Sequence, residues 1–149
     1  MAEKKTTKID NAEVIRIENF FTRENEENGV WYEAVINGQP TGIEGLVLGA
    51  NSTTAIVAQN QFNKEVEEQK LIEDFEEKTI QYELSCAKRA AAVVQKLRAK
   101  GGKQLSFGDK TSLDKSDIEK ILLNSPALAA CFISFSGRNS NFLEGKKNS

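Results

Sequence analysis

Pairs of carboxylates are the most frequent grouping of chemically competent residues in this sequence. They occur as Glu67-Glu68, Glu73-Asp74 and Glu76-Glu77. Two carboxyl groups can act as acid and base in hydrolysis when they converge across a cleft. All three pairs fall on a predicted polar helix face, and no pattern here indicates a cleft. We therefore interpret them as solvated surface charge.

The chain has no histidine, so it lacks the commonest general base and the commonest transition-metal ligand. Catalysis by Ser-His-Asp or Cys-His groups is excluded. The two cysteines, Cys86 and Cys131, have no paired spacing and predict neither a zinc site nor a disulfide framework. Both lie in apolar helical patterns and are predicted to be buried thiols.

The glycine-rich stretches do not form a recognisable phosphate loop. Thr41–Gly45 and Gly101-Gly102-Lys103 fit neither the Walker pattern nor the dinucleotide fingerprint. Gly45–Gly49 precedes a helix start at Asn51, where an anion could bind, but we interpret it as an ordinary turn from strand to helix. Asp109–Asp117 lacks the alternating ligands of a calcium loop. We therefore predict a protein that is not an enzyme and uses no cofactor or metal.

Charge and hydropathy narrow the classes of partner. Among 149 residues, 20 basic and 22 acidic side chains give a net charge of −2. Nucleic-acid binders normally carry a clear basic excess. No apolar run approaches the roughly 20 residues of a membrane span, and no signal-peptide pattern is present. The expectation is a cytoplasmic protein without nucleic-acid or membrane partners.

The first third of the chain predicts a small antiparallel sheet. Residues 1–10 are charged and are predicted to be a flexible tail, and residues 11–49 are predicted to be rich in β-structure. The predicted strands are Ala12–Phe21, Val30–Ile36 and Ile43–Leu48, with a charged loop at Glu24–Gly29. Asn37-Gly38 is a strong hairpin signal.

The stretch from Ala50 to Lys100 contains neither glycine nor proline and is predicted to be helical. One straight helix of this length would span roughly 75 Å, so we predict a break near Leu71–Asp74, with Asp74 capping the second helix. An apolar seam with steps of four and three residues follows: Phe75, Thr79, Tyr82, Cys86, Ala90, Val93 and Leu97.

The last third predicts two further helices after a loop over Gly101–Ser112. Ser116–Glu119 matches a capping box, and Ser125 is the predicted cap of a last helix with Pro126 at its first position. The apolar face of that helix is either core or a surface for a partner. Residues 144–149 are predicted to be a flexible C-terminus. The fold class is therefore α+β: one domain over 11–143, with a small N-terminal antiparallel sheet and long helices over 50–143.

Three stretches carry a resemblance to a known family. They are Gly49-Ala50-Asn51-Ser52 leading into Thr53–Gln69, the central helix with its glycine-rich loop Lys100–Gly108, and a C-terminal signature. That signature comprises Ile118–Leu123, Ser125-Pro126-Ala127-Leu128, Cys131–Phe135 and Asn141-Phe142-Leu143. In this pattern, over about residues 30–143, the chain resembles the tail assembly chaperones of long-tailed, siphovirus-like bacteriophages.

The resemblance implies a holdase that keeps the apolar helices of the tape-measure protein soluble during tail morphogenesis. It implies a homo-oligomer in the cytoplasm of the bacterial host that is absent from the mature virion, with the tail tube protein as a further candidate partner. The expected contacts with client or with another copy are Leu128, Phe132, Phe135, Phe142, Tyr82, Val93 and Leu97. The alternative is a structural virion subunit of the tail or head–tail region.

Overall fold

The structure is a computed structural model, and it describes residues 13–146. Its fold class is α+β, as predicted: a three-stranded antiparallel sheet combined with helices. The strands are β1 (Val30–Ile36), β2 (Gln39–Val47) and β3 (Val94–Ala99). The helices are α1 (Arg23–Asn28), α2 (Thr53–Gln69), α3 (Phe75–Val93), α4 (Lys115–Asn124) and α5 (Pro126–Ser136). Short 3₁₀ turns occupy Ile17–Phe20, Lys100–Gly102, Asn139–Phe142 and Glu144–Lys146.

The β1–β2 hairpin forms where the sequence predicts it. Asn37 and Gly38 both have positive φ, 53° and 76°, which is the geometry that a two-residue hairpin turn requires. The β1 strand has the predicted bounds, whereas β2 begins at Gln39, earlier than the predicted start at Ile43. Tyr32 lies opposite Gly45 in the resulting ladder.

The third strand of the sheet comes from an unexpected part of the chain. The predicted strand Ala12–Phe21 is wrong over its described residues, because Ile17–Phe20 is a 3₁₀ turn outside the sheet. The third strand is β3, within a stretch predicted to be helical. It pairs with β2, so that Ile43 lies opposite Ala99. Residues 50–143 are therefore not all helical. Leu97, which was predicted to belong to the apolar seam of the long helix, lies in strand β3.

Specific side chains stabilise the change from helix to strand at Val93–Val94. The Arg98 guanidinium donates to Glu44 Oε1 at 2.7 Å and stacks over the Trp31 ring at 3.6 Å. Lys115 donates to the carbonyls of Ala91 and Val94, which are freed where α3 ends. These contacts override the helix propensity of the segment.

Helix α5 covers the inner face of the sheet. The Phe132 ring is fully buried over Gly45, where a Cβ atom would come within 2.8 Å of the ring. Glycine at this position therefore allows the close packing of helix on sheet. The surrounding core comprises Ala34, Val47, Leu48, Ala90, Val93, Val94, Ile118, Leu122 and Leu128.

The predicted helix starts are correct in two places and wrong in a third. The Asp74 side chain accepts from Glu77 N at 2.9 Å, and Ser125 accepts from Leu128 N with Pro126 as the first helical residue. The capping box of α4 is not Ser116–Glu119. It is formed by Asp114 and Asp117, because Asp117 is buried and also accepts from Lys110 at 2.6 Å.

The segment predicted as the charged loop Glu24–Gly29 is mostly helix α1, and it carries a buried carboxylate. Glu26 is 2% exposed, and its carboxylate accepts from Thr22 Oγ1 at 2.7 Å and from Asn51 N at 3.0 Å. The neighbouring Glu27 accepts from Thr53 N at 3.0 Å. Two carboxylates therefore stabilise the N-terminus of α2, where the helix dipole favours negative charge.

The chain ends of the domain meet near α1. Asn25 Nδ2 donates to the Phe142 carbonyl at 3.0 Å, and Glu144 N donates to the Phe21 carbonyl at 2.9 Å. Glu144–Lys146, at the start of the C-terminus predicted to be flexible, forms a 3₁₀ turn. The predicted tail at residues 1–10 and the end of the chain from residue 147 lie outside the described residues.

Gly49→Ala tests the importance of the junction around Glu26. A Cβ at Gly49 would lie 2.2 Å from Glu26 Cγ, so we expect the free energy of unfolding to fall by about 1–3 kcal/mol, the usual cost of overpacking. Urea denaturation measures the change. Gly137→Ala is the control, since its nearest contact would be 3.6 Å away. Equal stability of the two variants would contradict this account.

Candidate protein-binding surface on the helical hairpin

Helices α2 and α3 form an antiparallel hairpin whose turn lies between Gln69 and Phe75. The predicted break in the long helical stretch is therefore confirmed. Ala55 is the one buried residue of α2, and the helix packs chiefly on α3. None of residues 66–84 is buried. The distal half of the hairpin, residues 66–84, therefore lies outside the hydrophobic core.

Polar side chains hold the two helices of the hairpin together. Ser85 Oγ donates to Glu65 Oε1 at 2.6 Å, and Lys88 Nζ donates to Glu65 Oε2 at 2.9 Å. Gln69 Nε2 donates in turn to Ser85 Oγ at 2.8 Å. The hydrogen bonds from Ser85, Gln61 and Lys88 lower the pKa of Glu65 to about 2. The carboxylate is therefore the centre of a polar network that joins α2 to α3.

An aromatic contact adds to this network. The Phe62 ring meets the Tyr82 ring edge-on with centroids 5.9 Å apart. The Arg89 guanidinium lies 5.3 Å from the Phe62 centroid, within the range of a cation–π interaction. These contacts orient Tyr82 at the base of the distal half.

The distal half exposes large apolar side chains, which we call the hairpin patch. Its members, with their exposed fractions, are Leu71 84%, Phe75 79%, Ile80 50%, Tyr82 48% and Leu84 39%. Phe75 and Tyr82, seven residues apart, share one side of α3, whereas Ile80 and Leu84 share another. Large exposed apolar residues among charged neighbours are typical of protein-interaction surfaces.

An apolar groove lies beside the base of the hairpin, between α3, α4 and α5. We call it the α3 groove, and its volume is about 350 Å³. Its lining includes Tyr82, Cys86, Ala90, Leu122, Leu123, Ala129 and Ile133. A hydrogen bond between the Tyr82 hydroxyl and the Cys86 thiol raises the pKa of Tyr82.

Neither cysteine is fully buried, so that prediction is wrong. Cys86 and Cys131 are both partly exposed free thiols. Cys131 Sγ lies 3.4 Å from Tyr32 Oη and also 3.4 Å from the backbone nitrogen of Val35. Its hydrogen bond, followed by burial, raises the pKa of Tyr32 to about 12. Cys131 thus ties α5 to β1.

The structure separates the seven predicted contact residues rather than gathering them on one surface. Phe132, Phe142, Leu128 and Val93 are buried, so these four side chains lie in the core of the folded chain. Phe135 is partly buried and stacks on Tyr32 at 4.2 Å, and Leu97 is partly buried in β3. Of the seven, Tyr82 alone belongs to the hairpin patch.

The sequence interpretation missed Leu71, Ile80 and Leu84. It followed a single seam along α3, whereas these side chains lie off that seam or in the turn. The sequence did contain a sign of their exposure, since each is a large apolar residue among charged neighbours. Periodicity gave no means to decide which helix face would meet a partner element.

Two other kinds of site were sought among the described residues. Over residues 13–146, no group of three metal-ligating side chains comes together. In the same range no single helix is long and apolar enough to cross a membrane. Helices α4 and α5 meet this criterion only as a pair bent by 111°.

Comparisons with known proteins returned no match. No protein-family model, no curated protein and no solved structure matches this chain. Any function assigned to the hairpin therefore rests on the exposure, charge and packing of its own residues.

The polar network around Glu65 predicts an acid-sensitive hairpin. The folded pKa is lowered from 4.5 to about 2, so the carboxylate stabilises the fold above pH 4.5 and this contribution is lost as the pH falls toward 2. We expect Glu65→Gln to lower the free energy of unfolding at pH 7 by about 1–2 kcal/mol.

Urea denaturation of wild type and Glu65→Gln between pH 7 and pH 2 measures the effect. The difference between them is expected to shrink as the pH falls through this window. Glu68→Gln, on the exposed face of the same helix, is the control and should show little change at pH 7. A Glu65→Gln difference that is constant with pH would contradict the assigned role.

Proposed function

We propose that this chain is a protein-binding module that holds an apolar helical client, without catalysis. The order of its sequence elements resembles that of the tail assembly chaperones of long-tailed bacteriophages. The specific role that we propose is therefore to keep the tape-measure protein of such a phage soluble. The observation that carries the proposal is the hairpin patch, in which five large apolar side chains are exposed on a hairpin half with no buried residue.

The geometry of the patch fits a helix as its ligand. Full burial of a leucine or phenylalanine side chain contributes about 1.5–3 kcal/mol, so covering two or three members of the patch gives substantial affinity. Amphipathic helices are bound through anchors spaced three, four or seven residues apart. On α3, Ile80 and Leu84 lie four residues apart on one side, and Phe75 and Tyr82 lie seven residues apart on another, so either pair can pack against such anchors.

The charge around the patch favours a particular kind of helix. Residues 66–84 contain seven carboxylates and two lysines, for a net charge of −5. A negative rim keeps the unoccupied patch soluble and attracts ligands of opposite charge. The proposed client segment is therefore an apolar helix flanked by lysine or arginine.

The remaining parts of the proposal draw their support from the resemblance in element order. The chain would act as a homo-oligomer in the cytoplasm of the bacterial host and leave before the virion is complete. The tail tube protein is a second candidate partner. A structural subunit of the tail or head–tail region is the alternative, in which a virion protein would cover the hairpin patch permanently. Mass spectrometry of purified virions distinguishes the two, because the chaperone would be absent.

Co-expression with the candidate tape-measure protein from the same genome tests the proposal. We expect the client to become soluble and to co-elute with the wild-type chain. Leu71→Asp combined with Phe75→Asp should reduce the co-eluting client at least about tenfold, because a buried unpaired charge strongly opposes binding. Both positions are exposed, so circular dichroism should show unchanged helix content.

The matched control places the same two charges on the basal half of α2. Ile56→Asp combined with Val57→Asp changes residues that are also exposed, at 48% and 62%, and should leave client binding intact. Loss of binding in the control alone would move the site away from the hairpin patch. An insoluble client beside well-behaved wild-type chain would overturn the chaperone proposal and favour the structural subunit.

A further inference from the structure

A cavity of about 490 Å³ lies between residues 32–37 of the β1 hairpin and residues 127–141 of α5 and the turn that follows it. We call it the α5 cavity. Its volume falls in the range of about 300–1,000 Å³ that is usual for small-molecule sites. None of its lining residues belongs to the hairpin patch. It is therefore a separate candidate site.

Ring stacking and hydrogen bonds fix the wall of the cavity that Tyr32 forms. The Tyr32 ring stacks on Phe135 with centroids 4.2 Å apart, and its hydroxyl lies 3.4 Å from Cys131 Sγ. The Cys131 thiol also donates to the Val35 carbonyl at 3.4 Å. Because these groups are already held in place, a ligand does not have to order them, which favours binding.

Small side chains on α5 give the cavity an elongated shape. Ala127, Ala130 and Ser134 line it at steps of three and four residues, so they lie on one face of the helix. The seven residues from Ala127 to Ser134 correspond to about 10 Å along the helix axis. Across the cavity, Ile36 and the 42% exposed Val35 form an apolar wall. The space therefore suits an elongated apolar body.

Among the described residues that line the cavity, Arg138 alone is charged. None of the ion pairs within residues 13–146 includes it. The hydrogen bond with Cys131, followed by burial, raises the pKa of Tyr32 to about 12, whereas the charge of Arg138 acts to lower that pKa. The guanidinium charge is therefore felt at the Tyr32 hydroxyl, which stays neutral at pH 7. The described lining thus carries one positive charge and no negative charge.

The backbone around Arg138 is fixed as well. Arg138 N donates to the Phe135 carbonyl at 3.2 Å, and Asn141 N donates to the Arg138 carbonyl at 3.0 Å. Asn141 Nδ2 also donates to the Phe135 carbonyl at 2.9 Å. Arg138 lies two residues beyond the end of α5, so its charge lies at one end of the elongated cavity. A guanidinium there presents a fork of N–H donors that matches a carboxylate.

We propose that the α5 cavity binds a small organic acid, with its carboxylate on Arg138 and its apolar body along the face from Ala127 to Ser134. One positive charge favours a carboxylate, which carries a single negative charge, over a phosphate, which carries up to two. The site involves none of residues 66–84. Binding of the acid is therefore independent of the proposed binding of a client.

Titration with 4-phenylbutanoate tests the site, and the neutral 4-phenylbutanamide is the matched probe. In ¹H–¹⁵N NMR spectra, the acid should shift the amide signals of Asn37, Cys131 and Arg138 saturably, with a Kd on the order of 1 mM or below. The amide should bind at least about tenfold more weakly, because it cannot form charged hydrogen bonds on both sides. Equal affinity of acid and amide would overturn the proposal. So would inorganic phosphate that binds as tightly as the acid, or the absence of saturable shifts.

Two variants test the assigned roles, and both change exposed positions, so circular dichroism should show an unchanged fold. Arg138→Gln should raise the Kd for the acid at least about tenfold, because it removes the ionic partner. Ala130→Leu should abolish binding, because the larger side chain fills the cavity. Arg16→Gln, at an exposed arginine elsewhere, is the matched control and should leave the Kd unchanged. Unaltered affinity in Arg138→Gln or Ala130→Leu would contradict the assignment.

The two cysteines provide a second readout within one molecule. Cys131 lines the α5 cavity and Cys86 lines the α3 groove, and both are partly exposed free thiols. At an acid concentration of about ten times the Kd, alkylation of Cys131 by iodoacetamide should slow about tenfold, whereas Cys86 should keep its rate. Peptide mass spectrometry measures both rates. Equal slowing of the two thiols, or slowing of Cys86 alone, would overturn the location of the site. Loss of client binding with acid binding intact would refute the proposed function alone.

Discussion

The buried carboxylate of Glu26 is the interaction on which the arrangement of the elements depends. It lies where β2 ends and α2 begins, and its partners are hydroxyl and amide groups rather than a cation. Because a buried carboxylate without donors would be very costly, these partners must be held in place. Gly49 is required there because any side chain would overlap Glu26. From this point α2 leaves the sheet in a fixed direction.

The same junction also fixes the end of α5. Ser136 Oγ donates to the Leu48 carbonyl at 2.7 Å, and Ala50 N donates to the Ser136 carbonyl at 3.0 Å. The end of strand β2, the start of helix α2 and the end of helix α5 are therefore joined by one set of hydrogen bonds. The core forms around α5, the sheet and the C-terminal half of α3. The distal half of the hairpin is left with polar contacts, such as the hydrogen bond from Gln69 Nε2 to the Gln81 carbonyl, so its local stability should be lower than that of the core.

Features set by neighbouring residues could be predicted from the sequence, whereas features set by distant pairing could not. The Asn37-Gly38 turn and the Asp74 cap follow from local backbone chemistry. The residues of β3 are predicted to be helical from their sequence alone. They form a strand because they pair with β2, where Ile43 lies opposite Ala99. Residues 13–21 have the β-branched composition of a strand, but no strand within residues 13–146 pairs with them. The same limit applies to the candidate site, because the exposure of Leu71 and the burial of Phe132 depend on which element lies opposite.

Charge opposes self-association through the hairpin patch. Residues 66–84 carry a net charge of −5 while the whole chain carries −2, so the remainder carries +3. Two hairpin patches that approached each other would bring like charges within a Debye length of about 8 Å, which opposes their contact. The hairpin patch would therefore stay available for a basic, apolar client.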